Sequence, residues 1–94
     1  MPRVASDAAI HVGGLILAHR QRIGMTQDEL AAASGIDSAN IRAHEKGRSM
    51  PSIQTLVRIA SALGIAPGAL LDGLTLERFD LEKQKSAGLP SKTR

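Results

Sequence analysis

The stretch TQDELAAASGIDSANIRAHEKG, residues 26–47, decides the fold. It predicts two short helices joined by a turn that contains a glycine. Thr26 and Glu29 have the spacing of a capping box, so we expect the first helix to begin there. Gly35 readily takes the left-handed conformation that a helix C-terminus needs, and it is expected to end that helix. Asp37 is expected to cap the second helix, which the last glycine of the stretch closes.

Small side chains in this stretch favour a close crossing of the two helices. Ala32 and Ala33 offer small side chains, and two helices this short can cross closely only if small residues lie between them. A helix, a tight glycine turn and a second helix place one helix across DNA and the next in its major groove. A plain helical hairpin inside a small bundle has the same local pattern, so this stretch alone leaves both interpretations open.

Composition narrows the class of protein. The chain has 94 residues, enough for one domain, and a formal net charge of +3 from 12 basic and 9 acidic residues. Its pI of about 10.0 favours a polyanionic partner. There is no cysteine, which excludes disulfides and thiol chemistry. Without a long apolar run or a signal-peptide pattern, we expect a cytoplasmic protein that does not enter a membrane. Phe79 is the only aromatic residue, so aromatic platforms for stacking single-stranded bases are excluded.

The segment before the central stretch predicts a first helix that starts at Ser6 or Asp7. Its apolar residues recur with a helical period. The pair Gly13-Gly14 weakens this helix by roughly 1 kcal/mol per glycine relative to alanine. We therefore expect one of two arrangements. The helix is well formed only from about Leu15 onward, or another backbone approaches it closely at the glycines.

The segment after the central stretch predicts two more helices. Ser52 can cap a helix with a wide apolar face that runs to Leu63, so this helix is expected to be the central packing element. Pro67 suits the first turn of a fifth, short helix over Gly68–Leu71. The sequence thus predicts an all-α domain of five short helices within residues 8–73.

The central stretch and its flanks resemble one family in specific, correctly spaced residues. The matching features are Arg20 with Gly24, Thr26-Gln27, Glu29-Leu30-Ala31, Gly35, Ile41, Glu45 with Gly47, Pro51, and the pattern Ile59-Ala60-x-x-Leu63. The family is the Cro/repressor-type (XRE) helix-turn-helix transcriptional regulators, and the resemblance covers residues 8–73. It implies a five-helix, lambda-repressor-like DNA-binding domain with a short C-terminal extension. Such a protein regulates transcription, most often represses it, and binds a palindromic double-stranded DNA operator as a homodimer.

The resemblance also implies which residues meet DNA. Helix 2 would span about 26–34, and the recognition helix, helix 3, about 38–46. The expected base contacts are Ser38, Ala39, Arg42 and Ala43, and the expected phosphate contacts are Gln27, Asn40, Lys46, Arg48 and Ser49. Only Arg42 can make a bidentate contact with guanine, worth roughly 1–3 kcal/mol of discrimination.

Each of these contacts has a simpler alternative. Gln27 is otherwise a solvated first-turn residue, and Arg42 a solvated or phosphate-contacting arginine. Asn40 suits either a phosphate or an adenine edge. Lys46 and Arg48 would otherwise be solvated charges in a turn.

Three further residues are expected to act structurally. The resemblance implies that Arg20 and Glu45 form a salt bridge that fixes helix 3 against helix 1, and that Ile41 points inward. His44 stands where the family often has an aromatic or aliphatic residue. His19 falls on the apolar face of the first helix, where a lone histidine is usually a partly buried core residue.

The two ends of the chain differ from the middle. Residues 1–7 are expected to form a flexible arm, and residues 84–94 a disordered basic tail. Residues 74–83 contain four apolar side chains, Leu74, Leu76, Phe79 and Leu81. They predict a short strand, or a helix from Thr75, that covers the domain itself or mediates dimerisation.

Two function classes remain from the sequence. The first is a sequence-specific DNA-binding regulator. The second is a protein-interaction module, or an antitoxin-like partner protein, that uses the same fold. The two alanines on the expected reading face keep this second class open. An enzyme is not expected, because no nucleophile–base pair, phosphate-binding glycine loop or carboxylate pair is evident. No metal-binding spacing such as HExxH or CxxC occurs, so no cofactor is expected.

Overall fold

The computed structural model describes residues 6–79, which form four α-helices and two short 3-10 segments. The helices are α1 (Asp7–Arg22), α2 (Gln27–Ser34), α3 (Ser38–Glu45) and α4 (Ile53–Leu63), followed by 3-10 segments at Pro67–Leu71 and Leu76–Arg78. No strand occurs within residues 6–79, and the predicted all-α class is confirmed. The short helix predicted over 68–71 is present as a 3-10 helix at Pro67–Leu71, the tighter form that short connectors often adopt, so the count of five is not confirmed for α-helices.

The local capping signals set most helix ends where they were predicted. The Thr26 hydroxyl accepts from the Glu29 amide at 3.0 Å, and the Glu29 carboxylate accepts from the Thr26 amide at 2.8 Å. Thr26 is therefore the cap, and α2 begins one residue later. Gly35 ends α2 with a φ of 75°. Asp37 holds the N-cap position of α3, but its side chain makes no capping hydrogen bond, which corrects the expected role of that carboxylate. Helix α3 ends at Glu45, one residue before the predicted end.

One apolar core joins all four helices. Its fully buried side chains include Val12 and Ile16 of α1 and Leu30 of α2. Helix α4 contributes the largest share, because Leu56, Ile59, Ala60 and Leu63 all face the core. Ile53 and Val57, which also belong to its predicted apolar face, are exposed, so the buried face is narrower than predicted. Helix α3 contributes only one apolar side chain, Ile41, and its other buried residue is Glu45. Its position thus depends on one isoleucine and one carboxylate.

The two glycines of α1 have different surroundings. Helix α1 is continuous from Asp7, so the expectation of a helix formed only from Leu15 is wrong. The alternative, a close backbone approach, is confirmed at Gly13. A Cβ atom there would overlap the carbonyl oxygen of His44 and lie 2.9 Å from that of Glu45. Gly14 is exposed, and a Cβ atom there would meet nothing within 4 Å.

Small residues in α2 do not mark its inner face. Ala32 and Ala33 are exposed, so the expectation that they lie between α2 and its neighbour is wrong. Leu30 and Ser34, one turn apart, are the buried residues of this helix. Alanine fits either face of a helix, and the larger Leu30 determined which face is buried.

The start of the C-terminal extension packs on its own domain. Leu74 lies against the core, and the 3-10 segment Leu76–Arg78 lies beside α1. Residues 74–79 thus form neither the short strand nor the helix from Thr75 that the sequence suggested. The rest of the predicted extension, the basic tail at 84–94 and most of the N-terminal arm lie outside the described residues. None of the helices within residues 6–79 is long and apolar enough to cross a membrane.

The glycine pair provides a matched test of the α1–α3 contact. Gly13→Ala should lower the free energy of unfolding by about 1–3 kcal/mol, because the new methyl group meets backbone that cannot give way. Gly14→Ala should raise it by about 0.5–1 kcal/mol, because alanine favours the helix and the site is open. Urea unfolding of both variants measures the difference. Equal responses would show that α1 and α3 do not cross at Gly13.

Candidate nucleic-acid interface

Helix α3 presents its polar side chains away from the core. Ile41 is fully buried and fixes the inner face of the helix, as predicted. The expected base-contact residues lie away from it: Ala39 and Arg42 are exposed, and Ser38 and Ala43 are half-buried. Asn40 is also exposed.

The arginine and lysine side chains on α3 and in the loop that follows it have no internal partner within residues 6–79. Arg42, Lys46 and Arg48 are all exposed, and none of them makes a side-chain hydrogen bond or an ion pair with any residue of 6–79. Arg20, by contrast, is buried and fully paired. The basic side chains around α3 thus separate into one that holds the fold and three that are free for an anionic partner.

Arg20 and Glu45 form the bidentate pair that the resemblance implies. Arg20 Nε donates to Glu45 Oε2 at 2.6 Å, and Nη2 donates to Oε1 at 3.0 Å. The third nitrogen, Nη1, donates to the Met25 carbonyl at 2.8 Å, which holds the turn before α2. The side chains of the pair are 11% and 3% exposed. A pair buried to this extent is costly to break, because one partner would be left as an uncompensated charge.

The pair also shifts the titration of the arginine. The hydrogen bond to Glu45 raises the pKa of Arg20 above its usual value, and this effect exceeds the lowering caused by burial. A group whose pKa is raised on folding contributes stability that is fully present below its unfolded pKa. That contribution is lost only as pH rises through the folded value. The Arg20 contribution is therefore constant through the neutral range.

The same carboxylate holds Gln27, a contact that the sequence did not reveal. Gln27 Nε2 donates to Glu45 Oε1 at 2.8 Å, and the glutamine side chain is half-buried. Gln27 was expected to contact a phosphate, but one of its two amide hydrogens is thus already bonded inside the protein. No short-range signal pointed to this contact, because Gln27 and Glu45 are 18 residues apart in sequence.

The loop between α3 and α4 is fixed at several points. The amides of Lys46 and Arg48 donate to carbonyls of α3 at 3.1 and 2.9 Å. Gly47 has a φ of 76° and is buried against α1, where a Cβ atom would lie 2.7 Å from the Ile10 Cα. Ser49 contacts the His44 ring through both its hydroxyl and its carbonyl oxygen. Two exposed cations and one hydroxyl, the expected phosphate contacts, therefore occupy an ordered turn.

Formal charge is balanced within the described part of the chain. Residues 6–79 contain seven basic side chains, Arg20, Arg22, Arg42, Lys46, Arg48, Arg58 and Arg78, and seven acidic ones, Asp7, Asp28, Glu29, Asp37, Glu45, Asp72 and Glu77. The net charge of +3 is thus supplied by residues 1–5 and 80–94. Any preference of the folded part for an anion must come from where its charges lie and not from their sum.

The three histidines have separate partners. His11 Nε2 donates to the Asp72 carbonyl at 2.6 Å, and His19 Nδ1 accepts from Arg22 at 2.8 Å. His19 is half-buried, and it lies outside the apolar core cluster. Within residues 6–79, no group of three or more histidine, aspartate or glutamate side chains is placed to hold a metal ion.

Comparisons with known proteins agree on one family. The helix-turn-helix family model matches residues 16–70. An HTH-type transcriptional regulator of Methanothermobacter thermautotrophicus is 50% identical over 50 residues, which cover 53% of this chain and 72% of the relative. The HTH-type regulator y4dJ of Sinorhizobium fredii is 36% identical over 55 residues, which cover 58% of this chain and 71% of the relative.

Solved structures show the same likeness. The restriction-modification controller protein C.AhdI of Aeromonas hydrophila superposes with a TM-score of 0.65 at 29% identity, covering 66% of this chain and 94% of that one. SinR, a regulator of biofilm formation from Bacillus subtilis, was solved in complex with DNA. It superposes with a TM-score of 0.63 at 29% identity, covering 65% of this chain and 98% of that one. The fold and its buried pair define a helix-turn-helix protein. The chain belongs to the XRE-type helix-turn-helix family of transcriptional regulators, which is a DNA-binding family and not a family of enzymes.

The buried pair predicts an asymmetric response to mutation. Glu45→Ala should lower the free energy of unfolding by about 3–5 kcal/mol, because it leaves the Arg20 charge buried without its partner. The double variant Arg20→Met with Glu45→Leu should recover most of that loss, since apolar side chains of similar volume often replace a buried pair. Chemical unfolding of both variants tests this.

Asp28→Ala provides the control. It removes an exposed carboxylate from the first turn of α2, and it should change the free energy of unfolding by less than about 1 kcal/mol. If Glu45→Ala costs no more than this control, the pair does not hold α3 in place.

Proposed function

We propose that this chain is a sequence-specific transcriptional regulator, acting as a repressor, that binds a palindromic operator as a homodimer with α3 in the major groove. The observation that supports this is the division of α3 into two faces. Its inner face is fixed by Ile41 and by the Glu45 pair. Its outer face presents polar side chains that make no hydrogen bond or ion pair within residues 6–79. The likeness to SinR, solved in complex with DNA, supports duplex DNA as the ligand.

Base readout in this proposal depends mainly on Arg42. Its guanidinium is exposed and has no partner within residues 6–79, so it is free to donate two hydrogen bonds to guanine O6 and N7. Ser38 discriminates poorly among bases, and Ala39 and Ala43 can only touch thymine methyl groups. Direct readout therefore depends on few base contacts, and the shape of the DNA supplies the rest of the specificity.

Phosphate binding is assigned to the loop after α3 and to Asn40. Lys46 and Arg48 are exposed cations on an ordered turn, and Ser49 adds a hydroxyl. Because the turn is fixed by the end of α3, contacts made there also fix the register of α3 in the groove.

Gln27 has a smaller share in phosphate binding than the sequence suggested. Its second amide hydrogen and the free backbone amides at the start of α2 remain available for a phosphate. However, the carboxylates of Asp28 and Glu29 occupy the same helix end and repel an anion. We therefore assign the larger contribution to the loop and retain Gln27 as a supporting contact.

The homodimer in this proposal needs an apolar surface outside the DNA-binding face. Ile53 and Val57, one turn apart on α4, are 74% and 46% exposed. Phe79, at the end of the described extension, is 39% exposed. These side chains are available to a second copy of the chain, whereas Leu74 is used within its own domain.

The test is selection of binding sites from a random pool of duplex DNA by the wild type and two variants. The wild type should enrich an inverted repeat whose half-sites lie about one helical turn apart. Arg42→Ala should enrich a site that has lost one guanine in each half, because the bidentate contact is gone. Arg48→Ala, the matched control, should enrich the wild-type sequence and bind every duplex more weakly, with a salt dependence reduced by about one charge.

Two results would contradict the proposal. Binding that selects no sequence and disappears as salt rises would mean that only the terminal charges attract DNA. Failure to bind duplex DNA at all would favour the second function class, a protein-interaction or antitoxin-like module with the same fold.

A further inference from the structure

His44 holds Ser49, the first loop residue that backbone hydrogen bonds from α3 do not reach. The backbone hydrogen bonds that continue from α3 end with the amide of Arg48, which donates to the Ala43 carbonyl. The next residue, Ser49, is held by a side chain instead. His44 Nδ1 lies 3.1 Å from the Ser49 carbonyl oxygen and 3.0 Å from its hydroxyl oxygen.

The chemistry of these partners assigns the hydrogen. A carbonyl oxygen can only accept, so His44 Nδ1 carries the hydrogen and donates it. The Ser49 hydroxyl oxygen accepts from the same N–H group. The hydroxyl hydrogen of Ser49 is then free to be donated to another acceptor, such as a phosphate oxygen.

The ring completes a set of anchors around three exposed residues. Gly47 is buried against α1, and Pro51, just before α4, is also buried. Between them, Arg48, Ser49 and Met50 are all exposed. The Arg48 amide is held by α3, but without the contact to His44 neither Ser49 nor Met50 would have a hydrogen bond to the rest of residues 6–79.

We propose that His44 is a positioning residue for the phosphate-binding loop: its Nδ1–H group fixes Ser49, so that Arg48 and Ser49 are ordered before DNA arrives. This inference rests on the DNA-binding function proposed above. The ring acts through Ser49, and its own contact with DNA is not required. A loop ordered in advance loses less conformational freedom on binding, which strengthens the complex.

The test compares three substitutions of His44 by fluorescence anisotropy with one duplex that the wild type binds. His44→Ala removes both the ring and the donor. His44→Phe keeps an aromatic ring of similar size but has no donor. His44→Asn keeps an N–H group close to the position of Nδ1. Ala and Phe should bind about tenfold more weakly than the wild type, the factor expected when the backbone of one residue must be ordered on binding. Asn should stay within about twofold of the wild type.

A second measurement does not depend on DNA. Amide hydrogen exchange at Arg48, whose amide donates to the Ala43 carbonyl, should be faster in the free His44→Ala and His44→Phe proteins than in the wild type and His44→Asn. Exchange in α4 should be the same in all four proteins, which separates loss of the contact from loss of the fold.

The outcomes distinguish this inference from the function on which it rests. If the wild type binds no duplex, the proposed function fails. If the wild type binds DNA and all three variants bind equally well, the positioning role is wrong. It is also wrong if Phe binds as tightly as the wild type, since packing alone then suffices. Equal weakening of Ala, Phe and Asn would overturn it as well, because the ring itself would then contact DNA.

Discussion

The carboxylate of Glu45 is the point on which the geometry of the reading surface depends. It accepts two hydrogen bonds from Arg20 of α1 and one from Gln27 at the start of α2. Three helices therefore meet at one buried group. Helix α3 has only Ile41 to attach it to the apolar core, so its orientation depends on this carboxylate together with the backbone crossing at Gly13. Breaking a buried pair leaves an uncompensated charge, so the arrangement that the pair sets is costly to disturb.

The inner and outer faces of α3 have opposite requirements, and the chain meets them with different chemistry. The inner face is anchored, since a backbone crossing at Gly13 and a bidentate pair leave little room for the helix to move. On the outer face Arg42, and in the loop after α3 Arg48, make no side-chain hydrogen bond or ion pair within residues 6–79. A guanidinium already paired inside the protein would have to break that contact before meeting a base or a phosphate. The separation explains how a formally neutral folded part can still offer concentrated positive charge along one edge.

Some features of this fold follow from short-range sequence signals, and others need the third dimension. Helix ends at Thr26 and Gly35 were predicted, because a cap depends on atoms within a few residues. The role of Gly13 was left open, since the backbone that it contacts belongs to α3, about thirty residues away in sequence. The bond from Gln27 to Glu45 was missed for the same reason. The family resemblance supplied the partner for Arg20, but nothing in the sequence placed a third donor on that carboxylate.

In the proposed complex, the surface formed by α3 and the loop after it faces DNA. Amide chemical shifts of the ¹⁵N-labelled protein, followed during titration with a duplex recovered by selection, test this arrangement residue by residue. We expect the largest changes on the amides of α3, on residues 46–49 and at the start of α2, and little change on the buried residues of α4. A titration that shifts other parts of the chain and leaves α3 and its loop unchanged would contradict it.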